Sequence, residues 1–123
     1  MQDNLLDIEG ALQRLGGDRA LLVELAQFFL EDSPGLLDQV REAVRSGNAR
    51  TVQRGAHSLK GLAGNFGARE AVDAASSVEE SGQRGDLAAA AAALPHLERQ
   101  IGWLQKALVS YRQSSGSTGW QDP

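Results

Sequence analysis

Glycine breaks at 16–17, 47, 67 and 85 cut the 123-residue chain into segments whose apolar residues recur at helical spacing. Few folds survive that punctuation. Ala and Leu are abundant, β-branched residues are sparse, and no two segments alternate with period 2 as a hairpin requires. The pattern predicts an all-α chain, an antiparallel four-helix bundle with a short additional N-terminal helix.

The helix ends can be read individually. Asp7 suits the N-cap of a short first helix that stops at Gly16-Gly17, and Asp18 suits the cap of a second beginning at Arg19. Ser33-Pro34 could open a new helix. The stripe Leu22, Leu25, Phe29, Leu36, Val40, Ala43 nevertheless keeps its phase across the proline, which predicts one kinked helix over 19–46. Gly47 ends it and Asn48 caps a third helix over about 49–65. A fourth spans about 68–82, and a last runs from Leu87 to about Arg112, with Pro95 inside it. Residues 1–113 are expected to form the domain. The Ser/Gly-rich 114–123, with Trp120, reads as a flexible tail.

Several function classes fall away. No stretch reaches the roughly 20 apolar residues of a membrane helix, and Met1-Gln2-Asp3-Asn4 does not open a secretory signal. A cytoplasmic protein without membrane insertion is expected. Cysteine is absent, which excludes disulfides and thiol chemistry. A net charge of -4 argues against nucleic acid. The charge is uneven, however: residues 49–67 carry Arg50, Arg54 and Lys60 and no acid. An anionic group or partner suits that segment.

The same segment holds His57. At about 100° per residue, Val52, Ala56, Leu59, Ala63 and Phe66 form one stripe at roughly 180° to 260° from His57. Arg50, Gln53, Arg54, Lys60, Gly61 and Gly64 fall within about 60° of it. His57 is therefore expected to face solvent, opposite the core. Each glycine inside a helix costs about 1 kcal/mol relative to alanine, and the phase of Gly61 and Gly64 favours a floor for a partner over packing within the bundle. Lys60, one of only two lysines, stands one turn on, where its ammonium reaches the space above the imidazole.

The stretch Ala56-His57-Ser58-Leu59-Lys60-Gly61-Leu62-Ala63-Gly64-Asn65-Phe66-Gly67 resembles the signature of histidine-containing phosphotransfer (HPt) domains, including the glycine ten residues after the histidine. Ala11-Leu12, Leu15-Gly16-Gly17-Asp18 and the acidic segment before Gly85-Asp86 extend the resemblance over most of 5–112. Leu62 is larger than the small residue usual at its position. The resemblance implies that His57 accepts a phosphoryl group on Nε2, that Lys60 steadies the phosphoryl oxygens, and that Gly61 and Gly64, with Arg50, Gln53 and Arg54, meet the partner. It also implies that Glu79, 22 residues after the histidine, orients the ring through Nδ1. A solvated helix charge is the other reading of Glu79, and Glu80 adjoins it.

Partners implied are response-regulator receiver domains and an upstream histidine kinase or hybrid kinase, with the chain itself a monomeric carrier. No Walker-type loop is present, so it is not read as an enzyme. No cofactor is expected in this domain, and Mg²⁺ is expected on the partner receiver. A related reading is the phosphoryl-accepting domain of a chemotaxis-type histidine kinase. A reading from another class, a haem- or metal-binding bundle, would need His57 and His96 as inward ligands. The phase of His57 opposes it, and neither Cys-x-x-Cys-His nor Glu-x-x-His occurs.

Overall fold

A computed structural model describes the backbone of residues 7–121 and the side chains of residues 7–113. The described residues contain five helices and no strand: α1 (Ile8–Arg14), α2 (Arg19–Ser46), α3 (Ala49–Gly64), α4 (Arg69–Gln83) and α5 (Leu87–Gln121). Their starts follow local chemistry. Carboxylates of Asp7, Asp18 and Asp86 and the amide of Asn48 accept from the amides of Gly10, Leu21, Ala89 and Thr51, satisfying donors that a helix start leaves open. Gly47 ends α2 in the left-handed region at φ 82°, where a side chain would be strained.

α2 runs through Pro34 unbroken. The proline is exposed, so the carbonyl it deprives of a helical donor can turn to water. Within α2 the deepest positions differ slightly from the expected stripe. Ser33, Leu37 and Val40 are buried, whereas Leu25 and Leu36 are only partly so. Leu36 instead borders a surface groove between α2 and α3. Ser33 is tolerated in the core because its hydroxyl accepts from the Gln105 amide at 2.8 Å.

α2 packs on α3, α3 on α4, α4 on α5, and α5 closes the ring on α2. That order leaves α3 and α5 diagonal to each other. Neighbours run antiparallel: along α2 and α5, Arg41 pairs with Glu98, Ser33 with Gln105 and Gln27 with Arg112. Phe29 and Phe66 meet edge to face, 5.9 Å between centroids, joining α2 to the turn after α3. Two glycines set close approaches that the sequence does not advertise. A Cβ on Gly55 would lie 2.6 Å from Val40 Cγ2, and one on Gly82 would lie 2.7 Å from the backbone nitrogen of Gln53.

α3 ends at Gly64, one residue short of expectation, and α5 continues to Gln121 instead of stopping near Arg112. The expected flexible tail over 114–123, with Trp120, lies where side chains are outside the described residues. No helix among the described residues is long and apolar enough to cross a membrane.

Candidate functional site

The periodicity of α3 settles which way its side chains point. Val52, Ala56, Leu59 and Ala63, followed by Phe66, are fully buried, so the opposite face must be outermost. His57 stands on that face with 67% of its side chain exposed. Arg50 and Arg54 are exposed on the preceding turns, and Gln53 is half-buried toward α4. Gln53, Arg54, His57, Ser58 and Glu79 line one shallow depression. On the other flank, Ser58, Gly61 and Leu62 border the α2–α3 groove with Gly35, Leu36 and Gln39.

Gly61 and Gly64 are exposed, and a Cβ on either would meet nothing within 4 Å. Packing inside the bundle therefore does not explain them, unlike Gly55 and Gly82. They leave a low surface beside the imidazole. Gly61→Ala is expected to stabilise the domain by about 1 kcal/mol, from helix propensity alone, read as a raised midpoint in denaturant unfolding.

Glu79 comes to this face from α4. The close seat of Gly82 against the α3 backbone, one turn further along α4, holds the two helices near enough for side chains to meet. One carboxylate oxygen of Glu79, Oε2, lies 2.8 Å from His57 Nδ1, and the other, Oε1, lies 2.7 Å from Lys60 Nζ. Only 15% of the Glu79 side chain is exposed, so it is no solvated helix charge, and the neighbouring Glu80 faces solvent. The acid-free segment of the sequence thus acquires an acid from another helix. Lys60 is occupied by this pair and keeps 32% of its side chain exposed beside the ring.

The electrostatics fix the ring's protonation pattern. Hydrogen bonding from Lys60 holds the Glu79 carboxyl below the usual carboxylate range, burial works against this, and the bond to His57 lowers it further. An ionised carboxylate can only accept, so Nδ1 carries the hydrogen it shares with Oε2. In the neutral ring Nε2 then keeps a free lone pair.

The depressed Glu79 value also makes a statement about stability. A carboxyl whose folded value lies below its unfolded one stabilises the fold above the unfolded value and loses that contribution as pH falls through the folded one. The melting-temperature gap between the wild type and Glu79→Gln is therefore expected to be steady above the usual carboxylate range and to close below it. Calorimetry across an acid pH series reads it.

His96 is exposed beside Pro95 on α5, the helix diagonal to α3. It cannot share an inward metal or haem site with an outward His57. No group of three or more potential metal-ligating residues occurs among the described residues.

Comparison with known proteins agrees with this geometry. A family model described as the Hpt domain matches residues 24–107. The crystal structure of histidine-containing phosphotransfer protein B (HptB) from Pseudomonas aeruginosa PAO1 superposes with a TM-score of 0.80 at 27% identity, covering 89% of this chain and 96% of that one. No curated protein sequence matched. The helical bundle, its outward histidine and the family match over most of its length lead to one conclusion: this chain belongs to the Hpt domain family and is a histidine phosphotransfer module of phosphorelays.

Proposed function

We propose that His57 is the phosphoryl carrier and that it exchanges the group with aspartates of response-regulator receiver domains. The observation that carries this reading is the bond between Nδ1 and Glu79, which leaves Nε2 as the free nucleophile on an exposed ring. In the transfer, Nε2 attacks phosphorus of an aspartyl phosphate in line. An N–P bond forms, and the P–O bond to the aspartate breaks with its electron pair returning to the carboxylate. The ring becomes cationic while Nδ1 keeps its hydrogen, and the Glu79 carboxylate lies where that charge develops. The reverse step hands the group to a second receiver.

Lys60 then has two possible anions to serve, Glu79 before transfer and the phosphoryl oxygens after it. As a flexible point charge it can turn from one to the other without the planar match a guanidinium demands. The receiver would supply Mg²⁺ and most of the charge stabilisation, since phosphoryl transfer is mainly positioning plus electrostatics. Gly61 and Gly64 would let the receiver backbone approach the ring, and Arg50, Gln53 and Arg54 would meet its rim.

Radiolabelled transfer tests the reading with two donors, a receiver domain charged with phosphate and a kinase core supplied with ATP. Rapid labelling from the charged receiver, reversible on adding a second receiver, is expected. Labelling by the kinase core alone would instead make this a kinase's own accepting domain. For Gly61→Leu, receiver affinity is expected to fall about tenfold, equivalent to about 1.4 kcal/mol, with the helix intact. Unchanged affinity by titration calorimetry would remove Gly61 from the docking face.

A further inference from the structure

On the side of the bundle diagonal to α3, the outer face of α5 carries a feature that phosphoryl transfer does not use. Trp103 is 47% exposed there. It shares a depression with Glu98, Arg99, Gly102 and Lys106. A Cβ on Gly102 would meet nothing within 4 Å, so neither packing nor turn geometry calls for glycine at this mid-helix position. The indole and the missing side chain together form an apolar notch on the surface.

The surrounding charges say what fits the notch. Among the described residues Arg99 and Lys106 form no ion pair, although the chain as a whole carries a net charge of -4. Glu98, the one acid in the depression, is held by Arg41 of α2. Two uncommitted cations therefore flank the indole. They are seven residues apart, about 10 Å along the axis at 1.5 Å per residue. A second copy of this chain meeting the face symmetrically would set cation against cation, which disfavours self-association.

We infer that this face of α5 docks an acidic segment of a partner protein, with an apolar side chain in the Gly102–Trp103 notch and carboxylates on Arg99 and Lys106. A helix with acids at i and i+7 and a leucine between them has the required spacing. Because α5 is diagonal to α3, such a partner leaves His57 free for a receiver. The face would tether the carrier without blocking transfer.

The probe is a synthetic helical peptide with Glu at i and i+7 and Leu at i+3, alongside a control with Lys in place of both Glu. The protein is the full chain with Trp120→Phe, so that indole fluorescence reports Trp103 alone. A saturable, salt-sensitive change with the acidic peptide is expected. Binding should weaken at least tenfold in the double variant Arg99→Glu, Lys106→Glu and, read there by the anisotropy of a dye-labelled peptide, in Trp103→Ala, while labelling of His57 by a charged receiver stays unchanged. Absence of a fluorescence change with the acidic peptide overturns the inference. So does equal binding of the Lys peptide, or a Trp103-dependent dimer in sedimentation. Loss of His57 labelling in these variants would also overturn it, by joining the α5 face to the transfer site.

Discussion

His57→Gln is expected to abolish phosphoryl acceptance while changing the unfolding free energy by less than about 1 kcal/mol. The two halves of that expectation have separate causes. The acceptor atom is removed outright, because a glutamine amide nitrogen is no nucleophile toward phosphorus at neutral pH. The stability half rests on exposure: the ring buries little surface, and its one described hydrogen bond runs to a carboxylate that also holds Lys60. Circular dichroism with denaturant titration and acid-labile phosphate analysis would be read together. Retained acid-labile label in the variant would move the acceptor elsewhere, and a large drop in stability would mean that the ring supports the bundle.

Gly82→Val is expected to be strongly destabilising, costing about 3 kcal/mol. Its Cβ would lie 2.7 Å from Gln53 N, 2.9 Å from Ala49 O and 3.1 Å from Gln53 Cα. All three are backbone atoms in the first turns of α3, so no side chain can swing aside. The helices must part, and Glu79, one turn away on α4, moves with its own helix. The variant should therefore lose transfer rate even where it remains folded, and denaturant unfolding would show a lowered midpoint. The comparison with Gly61→Ala separates two uses of glycine in one domain. One glycine permits a contact inside the fold, and the other leaves a surface open.

Much of this was readable in the sequence, for local reasons. N-caps act over three residues, so Asp7, Asp18 and Asn48 can be recognised where they stand. The stripe of α3 is strict enough that its phase alone faced His57 outward. In α2 the period drifts over 28 residues, and the deep positions moved from Leu36 to Ser33 and Leu37. Gly55 and Gly82 gave no sign of their roles, because the backbone each one admits belongs to another helix. Glu79 could be singled out only through family resemblance, since nothing local tells it from Glu80 until α4 is laid beside α3. The extra length of α5 was not legible either: Ser and Gly over 114–119 favour a stop, yet the helix continues.

Nε2 of His57, with Nδ1 tied to Glu79, is the atom proposed to take the phosphoryl group. Phosphorus and nitrogen NMR of the protein labelled by a charged receiver tests it most directly. A single phosphohistidine is expected at His57, bonded through Nε2 and still carrying hydrogen on Nδ1. Phosphorus on Nδ1, or on any residue other than His57, would contradict it.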